Sequence, residues 1–192
     1  MIAKGLDFEN VTLVGVISAD IGLNVPDFRA AERTFQLLTQ VAGRSGRGEK
    51  SGEVIIQTYN HEHYSITTAM QQHFETFATK ELDMRRHLKY PPEYKLARFV
   101  FSHKNEKYLK EQLDKNSKVI DELKDLFKAD KLTILGPIDA PMARMQNSYR
   151  YHIILKGDSV KVISSAVSFL KENLKMGSTI KQVVDIDPYS LM

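Results

Sequence analysis

Residues 11–19, Val-Thr-Leu-Val-Gly-Val-Ile-Ser-Ala, form a nearly continuous apolar run that ends at Asp20. Apolar residues at successive rather than alternate positions describe a strand buried on both faces, as in a parallel sheet covered by helices. The chain then loops through Pro26, and Asp27 stands where it can cap a helix. Phe28, Ala31, Phe35, Leu38 and Ala42 keep roughly helical spacing, so one stripe faces a core. This helix should fail near Gly43, because Gly43, Ser45, Gly46 and Gly48 crowd the stretch that follows. Residues 53–59, Glu-Val-Ile-Ile-Gln-Thr-Tyr, read as a second strand. Strand, helix, strand in this order predicts a right-handed α/β crossover.

Working outward, residues from Ser65 to about Lys89 are helical in pattern, with Ile66, Met70, Phe74 and Phe77 on one side, and stop before Tyr90-Pro91-Pro92. The rest reads as strand 94–102, helix 106–128, strand 132–136, strand 149–156, helix 159–174 and strand 180–187. A β-α-β-β-α-β order predicts a ferredoxin-like domain with helices on one face of an antiparallel sheet. Its helix stripes are Leu109, Leu113, Ile120, Leu123 and Phe127 in one, and Val160, Ile163, Val167, Leu170 and Leu174 in the other. The expected fold is therefore α/β followed by α+β. Residues 1–64 form the first part, 65–92 a helical connector and 93–192 a C-terminal α+β domain.

With 192 residues and 42% hydrophobic content, the chain can build one large core or two small ones. It has no cysteine, which excludes disulfides and thiolate metal sites and suits a reducing cytoplasm. No apolar run approaches the ~20 residues that span a bilayer, so no membrane role is expected. The net charge of +3 arises in the second half, where residues 93–192 carry 17 Lys+Arg against 13 Asp+Glu. So small an excess fits ordinary surface as well as a nucleic-acid partner.

The chemistry concentrates in Gln40-Val-Ala-Gly43-Arg44-Ser-Gly-Arg47-Gly48. Two arginines three apart, where glycines let the backbone turn at a helix end, can aim both guanidinium groups at one anion. Guanidinium suits phosphate because it stays charged and presents planar paired donors. Gln40, one turn earlier, can hydrogen-bond the same ligand or an attacking water. A glycine-rich turn with two solvated arginines reads equally well from spacing alone.

The segment resembles the last conserved motif of superfamily 2 helicases, Gln-x-x-Gly-Arg-x-Gly-Arg, at every defined position. Upstream, Lys4-Gly5-Leu6-Asp7-Phe8, Val-Thr-Leu-Val-Gly-Val and Ala19-Asp20 are similar to the motif before it. Pro26-Asp27-Phe28-Arg29-Ala30 and Glu32-Arg33 narrow the resemblance to the primosomal replication-restart helicases, the PriA or primosomal protein N′ family. In the second half Tyr90-Pro91-Pro92, Gly136-Pro137, Ala140-Pro141, Tyr149-Arg150 and Asp185-Ile-Asp187-Pro188 are similar to that family's C-terminal domain.

The resemblance implies an ATP-dependent DNA helicase that recognises stalled or branched forks and starts primosome assembly, built with two RecA-like lobes. This chain would hold the distal part of lobe 2. Arg44 and Arg47 would reach across the cleft as arginine fingers, and Gln40 would sense the γ-phosphate or position water. Gly5, Asp7 and Gly43 would lie near the nucleotide, and Lys4 near the cleft or the DNA track. Asp20, at the carboxyl end of a strand, would couple ATP to DNA, or equally cap its own loop. The family engages branched or single-stranded DNA, single-strand-binding protein through its acidic tail, and primosome loading proteins.

The sequence has no Gly-x-x-x-x-Gly-Lys-Ser/Thr loop, no acidic box for Mg2+ and no cysteine cluster like the family's zinc insert. The reading expects these upstream of residue 1, in a longer parent that binds ATP, Mg2+ and zinc. The piece itself would bind no cofactor or metal and would not hydrolyse ATP. Two rivals stand beside it: a superfamily 2 translocase of other purpose, and a non-catalytic nucleic-acid or protein-binding module.

In strand 149–156, Tyr149, Tyr151, Ile153 and Leu155 alternate with Arg150, His152, Ile154 and Lys156, so one face is apolar and the other partly basic. Arg98 joins that basic face from strand 94–102. Arg98, Arg150 and His152 are thus candidate contacts for DNA or an acidic partner, against a plain solvated sheet or a contact with the other lobe. His61-Glu62-His63 lacks i,i+4 pairing and reads as loop polarity rather than a metal site. Met142, Arg144 and Met145 read as a loop with no assignable task.

Overall fold

The computed structural model describes residues 12–43 and 52–192. The chain divides into two compact units, Met1–Met84 and Arg85–Met192.

In the first unit β1 (Leu13–Val16) pairs in parallel with β2 (Glu53–Ile56), with Leu13 opposite Glu53 and Val16 opposite Ile56. Between them come α1 (Asp20–Leu23) and α2 (Ala30–Ala42). Asp27 does not cap α2 as its immediate neighbour. Instead its carboxylate accepts from the Arg29 backbone N–H at 2.9 Å, its carbonyl accepts from the Ala30 N–H, and Arg33 pairs with it at 3.5 Å. The buried stripe of α2 is Ala30, Thr34, Phe35, Leu38 and Val41, so Thr34 and Val41 replace the expected Ala31 and Ala42.

Phe35 and Leu38 meet Ile66 and Ala69 of α3 (Tyr64–Met70) and Phe77 of α4 (Phe74–His87), with Phe35 and Phe77 stacked at 4.1 Å. The continuous helix expected over 65–89 is interrupted, because Gln72 takes a positive φ of 52° and the His73 ring accepts the Thr76 N–H to start a new helix. β1 also departs from a strand buried on both faces. Val16 and Ile56 pack on the cluster, while Leu13 and Ile55 stay 57% and 54% exposed. The described helices cover one side of these strands, so only the residues pointing there are shielded.

The second unit runs β3 (Lys95–His103), α5 (Glu106–Lys115), α6 (Ser117–Leu126), β4 (Thr133–Met145), β5 (Ser148–Gly157), α7 (Val160–Asn173) and β6 (Lys181–Ile186). The sheet order is β4-β5-β3-β6 and every pair is antiparallel. Ala97, Phe99, Phe101, Ile153 and Leu155 point to one side and meet Leu109, Leu113, Ile120, Leu123, Ile163, Val167 and Leu170 from the helices. Asn105 and Ser159 cap α5 and α7 by accepting the N–H groups of Tyr108 and Val162.

Where one helix was expected over 106–128, the buried Asn116 divides two. Its amide donates to the Gln112 and Lys175 carbonyls at 2.8 and 3.2 Å and accepts the Lys175 N–H at 2.9 Å, which ties the break to the segment before β6. The strand expected at 132–136 continues to Met145. Met142, Arg144 and Met145 belong to this strand, not a loop. Met145 faces Ser148 across a two-residue turn in which Gln146 and Asn147 both have positive φ, as a tight hairpin requires.

Candidate nucleic-acid interface

Strand alternation places Arg98, Val100 and Ser102 of β3 on the side away from the helices. Register then sets Ser102 opposite both Arg150 of β5 and Lys181 of β6, and Arg98 opposite Asp185. Together with Met145, Gln146 and Ser148 of the hairpin and with Ser190 and Met192, these residues line a cavity of about 310 Å3. Its lining holds the cations Arg98, Arg150 and Lys181 against one acidic side chain, Asp185, with Val100 and Val183 between them. Such a surface attracts an anion and offers hydroxyl donors beside the charges.

The expected face is real as an alternation but is not open along its length. Arg98 is 3% exposed because residues 190–192 lie over it, and its Nη1 donates to a main-chain oxygen of Met192 at 2.9 Å and to the Ser190 carbonyl at 3.4 Å. His152 is 3% exposed, and its Nδ1 has no hydrogen-bond partner among the described residues. Burial first, then Arg98 and Arg150, lowers its pKa to about 4, so at neutral pH the ring carries no charge toward an anion. Lys156 is also buried and donates to the Leu88 carbonyl at 2.9 Å. Arg150 is half-buried, with Nη1 3.4 Å from the Met142 carbonyl. At the hairpin end Arg144 stands 5.2 Å from the Tyr149 ring centre and donates to Asn147 Oδ1 at 2.6 Å.

Lys181 was missed by sequence reasoning. The signal was present, since Lys181, Val183 and Asp185 occupy alternate positions of the last strand, but the pairing that puts Lys181 beside Ser102 and Arg150 is tertiary.

In the first unit Gln40 is on the exposed side of the last turn of α2. Gly43 is the C-cap, with its N–H on the Thr39 carbonyl at 3.0 Å. Lys4, Gly5, Asp7, Arg44 and Arg47 lie outside the described residues. Asp20 is buried, and its carboxylate accepts from Thr58 Oγ1 at 3.0 Å and from the Tyr59 and Asn60 N–H groups at 3.0 and 3.2 Å. The Tyr59 bond foremost holds its pKa below the usual value. Its oxygens thus cap the turn after β2. His63 caps α3 by accepting the Ser65 N–H.

A parallel strand–helix–strand unit followed by an antiparallel sheet unit with a cationic cavity defines a two-unit mixed α/β protein. Comparison with known proteins narrows this. The family described as "Primosomal protein N C-terminal domain" matches residues 86–189, and the chain belongs to that family. All of it is similar to the replication restart protein PriA of Bacillus subtilis (44% identity, 24% of the relative covered). It also aligns throughout with those of Borreliella burgdorferi (39%, 28% covered) and Synechocystis (37%, 22% covered). The chain therefore spans about a quarter of the length of these relatives. Among the described residues, no helix is long and apolar enough to cross a membrane.

Proposed function

We propose that this chain is the C-terminal part of an ATP-dependent DNA helicase acting in replication restart. On this reading residues 1–64 are the distal part of a second RecA-like lobe, 65–92 a connector and 93–192 a ferredoxin-like domain. The observation that carries it is the coexistence, in one chain, of the family's C-terminal domain at residues 86–189 and the arginine motif Gln40 to Arg47. Parallel β1 and β2 joined through α2 support the lobe reading, and the β4-β5-β3-β6 order supports the ferredoxin-like one.

Gln40 and Gly43 sit at the carboxyl end of α2, and Arg44 follows Gly43 in sequence. Bound ATP, held with Mg2+ by the parent's other lobe, would supply the phosphoryl group whose charge Arg44 and Arg47 stabilise. The second unit offers its cationic cavity to the DNA backbone, with Arg150 and Lys181 as phosphate partners. Single-strand-binding protein and primosome loading proteins are the partners this role implies, and the cytoplasm its place.

The test is Arg44→Ala in the full-length parent. DNA-stimulated ATP hydrolysis should fall by about a hundredfold or more while DNA affinity holds. Turnover left intact would instead favour a non-catalytic binding module.

A further inference from the structure

We propose that the cavity of the second unit takes one unstacked nucleotide of a single strand, with its phosphate on Arg150 and Lys181 and its base against Met145 at the hairpin tip. This rests on the reading of that cavity as a nucleic-acid contact and adds the form of the strand and the residue that meets the base.

Charge places the phosphate. From Ala140 to Gly157 the chain has no Asp or Glu, and this stretch supplies Arg144 and Arg150. Asp185 stands at the other end of the cavity, opposite Arg98, where a main-chain oxygen of Met192 also meets Arg98 Nη1 at 2.9 Å. Ser102 lies further along β3 from Arg98, by about 13 Å at the rise of a strand. Arg150 and Lys181, both opposite Ser102, therefore form a cationic end set apart from that acid. Among the described residues Arg150 is engaged through Nη1, by the Met142 carbonyl at 3.4 Å and Met145 Sδ at 3.9 Å, which leaves Nε and Nη2 to donate to a phosphate.

The hairpin places the base. Met145 is 42% exposed and Val183 45%, and both line the cavity beside the two cations. A thioether makes favourable contacts with aromatic rings, and methionine is among the apolar residues that proteins set between bases. The tip is held before any ligand arrives. Gln146 and Asn147 take φ of 49° and 59°, Asn147 Oδ1 accepts from Arg144 Nη2 at 2.6 Å, and Arg144 stands 5.2 Å from the Tyr149 ring centre. Met145 thus loses little freedom on binding. Size selects the strand form: a cavity of about 310 Å3 is at the lower end of the roughly 300–1,000 Å3 of small-ligand sites, room for one nucleotide and not for a duplex. A paired base would have to leave its stack to enter, whereas a single strand presents its bases.

Anisotropy on the 192-residue chain tests this with three labelled probes of one length: a single-stranded oligodeoxynucleotide, its duplex, and a single strand of abasic sites, which keeps the phosphates and lacks the bases. The base-bearing single strand should bind tightest. Met145→Ala should weaken it by roughly three- to tenfold, leave the other two probes unchanged, and keep the salt slope because no charge is removed. Met145→Leu, which retains apolar bulk, should restore the affinity. Single-strand affinity untouched by Met145→Ala, with the slope still lowered by Arg150→Ala/Lys181→Ala, would overturn the nucleotide subsite and leave the cavity reading intact. An equal loss on all three probes would do the same. No binding of any probe would remove both. Met145-dependent binding of an acidic peptide in place of the oligonucleotide would also overturn the proposal. Should Met145→Ala fail to fold, Val183→Ala must give the same pattern across the three probes, and a uniform effect would count against it.

Discussion

The ammonium of Lys156 lies 3.5 Å from the centre of the Tyr90 ring while donating to the Leu88 carbonyl, so the segment entering the second unit is held by a buried cation in its sheet. Burial, then the nearby Lys89 ammonium, lowers Lys156 to about 8 from its usual 10.5.

This makes stability depend on pH in a definite direction. Between pH of about 8 and 10.5 the unfolded chain holds a proton that the folded chain has released, so stability rises with pH through that window. Below it both states are charged, and the folded state bears the full burial cost. Urea midpoints of wild type and Lys156→Met should therefore diverge between neutral pH and pH of about 10, wild type gaining roughly 1–3 kcal/mol relative to the variant. Parallel pH profiles would refute this account.

Asn116 is the second point at which one side chain organises distant backbone. Asn116→Ala removes its bonds to Gln112 and to both backbone groups of Lys175 inside a buried junction. The expected cost is about 2–4 kcal/mol by chemical denaturation. A loss under about 0.5 kcal/mol would mean that α5 and α6 are separated by something other than this amide.

Arg150 and Lys181 flank Ser102 and face the same cavity. If they contact phosphates, Arg150→Ala/Lys181→Ala should lower the slope of log affinity against log salt for single-stranded DNA by about 1.4, at roughly 0.7 per phosphate. His152→Gln, which removes no charge at neutral pH, should leave that slope unchanged. An unaltered slope in the double variant would exclude this face.

Much of the fold was legible because burial imposes period on sequence. Leu109, Leu113, Ile120 and Leu123 were read as core and are buried; Val160 was read with its helix stripe and, at the first position of α7, is 60% exposed. Helix breaks at Asn116 and Gln72 were not legible. The first depends on a partner 59 residues away and the second on a single left-handed residue, and neither disturbs the apolar periodicity.

The site divides in the same way. Alternation alone assigned Arg98, Arg150 and His152 to one face of the sheet, since side-chain direction in a strand is a local property. Burial is not local. Residues 190–192 cover Arg98, and the packed environment of His152 removes its charge, so the face holds fewer open cations than its letters suggest. By itself the sequence determined the order of the strands, the family and the arginine motif, because each is written in neighbouring residues. Only the tertiary structure decided that Lys181 joins Arg150 and that residues 190–192 lie over Arg98, because those contacts depend on which strands pair and where the chain lies across them.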